Sequence, residues 1–151
     1  MLVIAMTYPD RTEEVDLAQR FLGQQTPEMV VQNNLVHQVI KREDLATIKN
    51  AILSVNVKNE LVEYAVEIAR RTRTHPGIRA GAGPRGTQAM LLAARALAVT
   101  SGRDFVTPDD LKDMAPAVLG HRLMLRPEYE MEGMSSTEII ASILNDVPVP
   151  K

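Results

Sequence analysis

Gly81-Ala-Gly-Pro-Arg-Gly-Thr-Gln-Ala-Met-Leu-Leu-Ala-Ala-Arg-Ala-Leu-Ala-Val-Thr100 is the stretch on which the fold turns. From Ala89 to Val99 only Arg95 is polar. A helix lacking a polar face is buried on most sides, so this segment predicts the central helix of an α-helical domain, running from Pro84 to about Thr100. Gly83 can serve as its N-cap, Pro84 as the first helical residue and Arg85 as the second. The same letters match G-x-G-x-x-G, but the context excludes a dinucleotide site. The residues before it, with Pro76 and Gly77, make no hydrophobic strand, and Pro84 and Arg85 crowd the turn that a pyrophosphate would approach.

Arg85 is the residue of interest. It places a guanidinium beside the positive end of its own helix, which costs a few tenths to about 1 kcal/mol unless an anion shares the spot. A phosphate there would be held by the free N–H groups of the first turn and by Arg85 together. The bland alternative pairs Arg85 with a carboxylate such as Asp109 or Asp110, or leaves it in water. The charge distribution bears on that choice. No acid occurs between Glu67 and Asp104, while Arg70, Arg71, Arg73, Arg79, Arg85, Arg95 and Arg103 all lie there. This excess fits an anionic ligand, or pairing with the 19 acids elsewhere in the chain. Around Arg85 it tips the balance toward phosphate.

Working outward, helix signals dominate. Asp10-Arg-Thr-Glu13 reads as a capping box for a helix to about Leu22, with Val15, Ala18, Phe21 and Leu22 on one face and Gly23 as its stop. Residues 24–41 are broken by Pro27 and Asn33-Asn34 and suggest short extended pieces. Helices follow over about 42–54 and 58–73, the second with Leu61, Tyr64, Ala65, Ile68 and Ala69 at helical spacing. Thr107-Pro-Asp-Asp110 opens another, in which Pro116 predicts a kink or restart. Residues 121–134 read as irregular, and Ser135-Ser-Thr-Glu138 caps a last helix. Leu2-Val-Ile-Ala-Met6 reads as a short buried strand, too short for a signal peptide or membrane span.

Composition limits the chemistry. The 151 residues hold 45% hydrophobic and 24% charged side chains, an ordinary globular balance. Without cysteine there is no disulfide, thiolate zinc site or cysteine nucleophile, and a cytoplasmic setting fits. Aromatics at 3%, a net charge of −2 and a pI near 5.9 make a nucleic-acid binder unpromising. His37, His75 and His121 share no metal-ligand spacing, and neither G-x-S-x-G nor a P-loop occurs.

Arg71-Thr-Arg-Thr-His-Pro76, Gly81-Ala-Gly-Pro-Arg85, Gly102-Arg-Asp-Phe-Val-Thr-Pro-Asp-Asp-Leu111 and Val118-Leu-Gly-His-Arg122, in this order and at these intervals, resemble the C-terminal half of the MoxR-type AAA+ ATPases. The resemblance implies a mainly α fold: a helical bundle of the AAA+ lid type over residues 10–151, with residues 1–9 as the last strand of the ATPase core. It also implies that the lid packs over ATP and Mg2+ held by the core. Arg85 falls at the sensor 2 position that reaches the γ-phosphate, with Gly83 and Pro84 shaping that helix start. Partners would be the ATPase core of the same protein and neighbouring subunits of a homo-oligomeric ring, typically a hexamer, in a chaperone-like ATPase with an unspecified client. Family members commonly have Ser where this chain has Gly83. Their Walker A and Walker B motifs, sensor 1 and arginine finger would lie upstream of residue 1, so the chain reads as a fragment that does not hydrolyse ATP and binds it weakly or not at all alone. Two further readings stay open: a helical nucleic-acid module using the Arg70–Arg103 stretch, and a structural adaptor.

Overall fold

In the computed structural model, residues 2–23 and 26–150 are described. They form two compact units, Ala5–Thr47 and Met1–Ile4 with Ile48–Lys151.

In the first unit, Asp10 accepts from the Glu13 amide at 2.9 Å while the Glu13 carboxylate accepts from the Asp10 amide at 3.0 Å. This is the expected capping box, and it opens α1 (Arg11–Leu22). Residues 26–33 depart from the expected extended pieces. Thr26 caps and Pro27 begins a short helix, α2 (Pro27–Gln32). A capping hydroxyl followed by a residue with φ preset for helix outweighs the local β-branched pair Val30-Val31. Gln24 and Gln25, part of that expectation, lie outside the described residues. No residue of α1 or α2 is buried, and Phe21 on the expected apolar face is 64% exposed. Helix α3 (Asp44–Ser54) follows.

The second unit holds the core. Helix α4 (Asn59–Thr74) buries Leu61, Tyr64, Ala65, Ile68, Ala69 and Thr72, the stripe that its spacing predicts plus one threonine. Helix α5 (Pro84–Thr100) packs against α4 and, most extensively, against α6 (Pro108–Leu119). Helix α8 (Ser136–Asp146) closes the core through Ile139, Ile140 and Ile143. Its start is the expected box, with Ser135 and Glu138 exchanging backbone bonds. The α5 helix is less enclosed than its composition predicts. It buries Gly86, Met90, Ala93, Ala94 and Ala98, while Arg85, Gln88 and Leu92 lie on an exposed side and Leu92 is 52% exposed. Gly102, with φ of 70°, ends the helix in the left-handed region, and the Arg103 amide turns back to the Ala98 carbonyl at 2.9 Å.

Helix α6 runs through Pro116 without interruption, and the tighter turn comes later, at Gly120–Arg122. Two strands were not foreseen: β1 (Ile78–Ala80) pairs antiparallel with β2 (Met124–Leu125). A short helix, α7 (Pro127–Met131), then leads to α8. The expected N-terminal strand over residues 2–6 is corrected to irregular chain. The Val3 amide reaches the Ala117 carbonyl at 2.9 Å, and no ladder forms, because a strand needs a neighbouring strand to pair with.

One polar group inside this unit is decisive for its stability. Asp110 is 4% exposed and takes both terminal nitrogens of Arg103, at 2.8 and 2.6 Å, as well as the Thr107 amide at 2.7 Å. The Arg103 hydrogen bonds hold its carboxyl below the usual carboxylate range, against the opposing effect of burial. A group whose native pKa is depressed stabilises the fold above its unfolded pKa and loses that contribution as pH falls through the native value. Asp110→Asn therefore lowers stability at neutral pH by about 2 kcal/mol and flattens the acid limb below about pH 4. Urea melts across that range check it; an unchanged acid limb would contradict the assignment.

Candidate functional site

The last turn of α4, the chain through β1 and the first turn of α5 converge on Ala82. Thr72, fully buried, donates its hydroxyl proton to the Ala69 carbonyl at 2.6 Å and accepts from the Ala82 amide at 2.9 Å. Arg73 Nε donates to the Ala82 carbonyl at 2.7 Å. Gly81 allows this approach: a Cβ there would sit 2.6 Å from the Thr72 carbonyl oxygen and 2.7 Å from the Arg73 nitrogen. Past this contact the chain enters α5 through Gly83, which is extended (φ −82°, ψ 178°) and provides no side-chain cap. The Gly86 amide bonds back to the Gly83 carbonyl at 2.8 Å. No acid lies in the first turn.

Arg85 projects from this start and is exposed. Among the described residues its guanidinium makes no hydrogen bond or ion pair. The two carboxylates that the sequence offered as its partners make other contacts. Asp110 is bidentate to Arg103, and Asp109 faces Lys112 at 3.7 Å. The positive end of α5 thus has a cation at its second position, no cap and no acid. That arrangement is chemically suited to a phosphate or carboxylate, through the guanidinium charge and the positive end of the helix beside it.

The arginine window divides in two. Arg103 pairs with Asp110 and lies over the Phe105 ring at 5.8 Å, Arg71 pairs with Glu67 at 2.9 Å, and Arg73 is tied to backbone. Arg95 buries its Nε without a partner. Arg70, Arg79 and Arg85 are exposed and make no ion pair among the described residues. A neighbour that sequence spacing does not reveal is Arg122. Its Nε donates to the Val118 carbonyl at 2.8 Å, and its Cδ lies 3.8 Å from where a Gly86 Cβ would stand. Only the fold brings it to the first turn of α5. His75 is a loop residue whose Nδ1 accepts from the Gly77 amide at 3.1 Å. Among the described residues no group of three His, Asp or Glu side chains converges to hold a metal. No described helix is long and apolar enough to cross a membrane.

Residues 70–143 match the family model of the AAA lid domain. Over 147 residues the chain is 36% identical to the uncharacterized protein YeaC of Bacillus subtilis, covering 97% of this chain and 44% of that protein. It is 29% identical to the chaperone MoxR1 of Mycobacterium tuberculosis, covering 98% of this chain and 40% of that protein. The crystal structure of a protein assigned as an ATPase from Cytophaga hutchinsonii superposes with a TM-score of 0.83 at 29% identity, over 100% of this chain and 47% of that one. The chain therefore spans less than half the length of these relatives.

Local geometry separates the two glycines. Nothing lies within 4 Å of a Cβ built at Gly83, and its φ is open to any residue. Gly83→Ser gains a capping hydroxyl and raises stability by a few tenths of a kcal/mol, roughly 0.3. Gly81→Ala forces Ala82 off α4 and lowers stability by about 2 kcal/mol. Thermal melts of both variants measure the contrast; equal melting temperatures would refute it.

Proposed function

The chain belongs to the MoxR-type AAA+ ATPases, whose AAA lid domain it carries, and from that premise we propose that it contributes Arg85 to an ATP site as a sensor 2 arginine. The observation that carries this reading is an exposed guanidinium, without an ion pair among the described residues, at an uncapped helix start with no acid in its first turn. ATP supplies a polyphosphate whose terminal oxygens carry concentrated negative charge. Arg85 would meet those oxygens at the positive end of α5, where Gly83 and Pro84 start the helix and neither a side-chain cap nor an acid competes. Such a contact stabilises charge as it shifts among the phosphate oxygens, the chief protein contribution to phosphoryl transfer.

The rest of the reading follows from what these residues leave undone. One arginine and one helix end cannot cradle three phosphates. The P-loop, the magnesium ligands and the positioned water are supplied by an ATPase core outside these 151 residues. The lid then couples nucleotide state to movement between subunits of an oligomeric, hexameric ring in the cytoplasm, acting on a client as a chaperone does. The relative named as a chaperone supports that last step, and nothing in this chain specifies the client.

In the intact protein, Arg85→Ala reduces turnover by about 100-fold or more, the scale of removing one donor aimed at developing charge. Arg85→Lys recovers little, because a point charge does not reproduce the planar fork. Wild-type hydrolysis by Arg85→Ala would overturn the role. The exposed arginines Arg70, Arg79 and Arg85 also suit a nucleic-acid backbone, and a titration separates the two readings. Purified residues 1–151 titrated with ATP-Mg2+ and with a single-stranded oligonucleotide show weak or no binding of either at physiological salt. Tight oligonucleotide binding that falls by orders of magnitude between low and high salt would favour the nucleic-acid reading.

A further inference from the structure

Among the described residues Arg85 has no side-chain partner, so its position is set by the backbone. That backbone is held at one residue. Ala82, 1% exposed, has its amide bound by Thr72 Oγ1 at 2.9 Å and its carbonyl bound by Arg73 Nε at 2.7 Å. Two consecutive residues of the last turn of α4 thus grip both polar groups of a single residue. The single proton of the Thr72 hydroxyl is used as well, donated to the Ala69 carbonyl at 2.6 Å. On the other side, the Ala82 methyl lies 3.2 Å from where a Gly86 Cβ would stand, against the first turn of α5.

We propose that Thr72 and Arg73 are positioning residues: a clamp on Ala82 that fixes where Arg85 meets its ligand. The role assigned to Arg85 rests on the sensor 2 reading above; the clamp itself rests on the geometry. Neither residue touches the ligand. Each acts through the Ala82 backbone, three residues before Arg85. Thr72→Val keeps the shape of the side chain but leaves the buried Ala82 amide without an acceptor. Arg73→Met keeps much of the stem and removes the Nε donor. Thr72→Ser keeps the hydroxyl. The consequence is specific: without the clamp the α5 start drifts while the core around Ile68, Leu111 and Ile140 persists. A displacement of about 1 Å at a catalytic contact is enough to cost about 100-fold in rate.

Two measurements test this. The first uses residues 1–151 and follows amide hydrogen exchange. In Thr72→Val and in Arg73→Met, the bonded amides of Ala82 and Gly86 exchange at least about 10-fold faster, while those in the middle of α6 and α8 do not change. Thr72→Ser matches wild type. The second uses the intact ATPase. Thr72→Val lowers kcat by about 10-fold with KM within about 2-fold, and Thr72→Ser restores it. Thr72→Val adds no further loss to Arg85→Ala, because both remove the same contact. Unchanged exchange at Ala82 and Gly86 in both clamp variants would overturn the clamp, as would losses that multiply in the double variant. If Arg85→Ala alone hydrolyses ATP normally, the sensor 2 reading fails. The exchange data then decide the clamp by themselves.

Discussion

The contact between α4 and Ala82 is the constraint from which the rest of the site follows. A typical backbone hydrogen bond contributes only about 1 kcal/mol net, but a buried amide left without an acceptor costs about 1–3 kcal/mol. At 1% exposure Ala82 has no water to turn to, so sliding the chain by one residue loses two bonds and strands two polar groups. Gly81 makes the approach possible and Thr72 makes it specific. Beyond it, Gly86 lies against Ala82 and against Leu119, where its missing side chain leaves 3.2 Å to each from an imagined Cβ. One short stretch therefore sets the α4–α5 spacing and contributes to the α5–α6 spacing. Arg85 lies between these two contacts and inherits its place from both.

The same structure explains why an arginine cluster in sequence is not one surface in space. Arg103 is a core-edge residue whose bidentate bond to Asp110 completes the cap of α6, since Asp110 also bonds to Thr107. Arg73 belongs to the clamp. Arg71 and Glu67 form an exposed i, i+4 pair worth a few tenths of a kcal/mol, roughly 0.3. What remains exposed and, among the described residues, without an ion pair is Arg70, Arg79 and Arg85, and of these only Arg85 stands at a helix start. The acid-free window thus mixed two causes, intramolecular pairing and solvent-facing charge, that net charge alone cannot tell apart.

Features written in local chemistry were legible in the sequence. The capping boxes of Asp10 with Glu13 and Ser135 with Glu138 appear where their letters stand, and Thr107-Pro-Asp-Asp110 opens α6 as its turn residues require. The stripe of α4 and the Gly83-Pro84-Arg85 start were equally plain. What escaped depends on partners far along the chain. Strands of three and two residues, Ile78–Ala80 and Met124–Leu125, are too short to show alternation and exist through each other. The apolar run at residues 2–6 had the composition of a strand and no strand to pair with. Helix α2 was hidden because Pro27 was read as a breaker rather than as a first residue behind the Thr26 cap. Thr72 is the subtlest case. Its two hydrogen bonds mark it as the joint of the site, yet on a helical wheel it is one polar residue on an apolar stripe.

The start of α5 is also the place where stability is withheld. A serine at position 83 would add a cap at no steric cost, and an acid in the first turn would offset the dipole, yet the chain has glycine and an arginine there. Each omission costs a few tenths of a kcal/mol, up to about 1 for the cation. The core formed by α4, α5, α6 and α8 is large enough to absorb that. An anion bound at the proposed site would do two things at once: it would gain a guanidinium beside a positive helix end, and it would supply the compensation that the helix lacks. By linkage, whatever the anion gains from the organised helix start, the helix start gains from the anion. In the proposed ATPase, a terminal phosphate that comes and goes would tighten and loosen the first turn of α5. Because that turn is seated on α4 through Ala82 and on α6 through Gly86, such a change would be passed to both helices rather than dissipated in a loop.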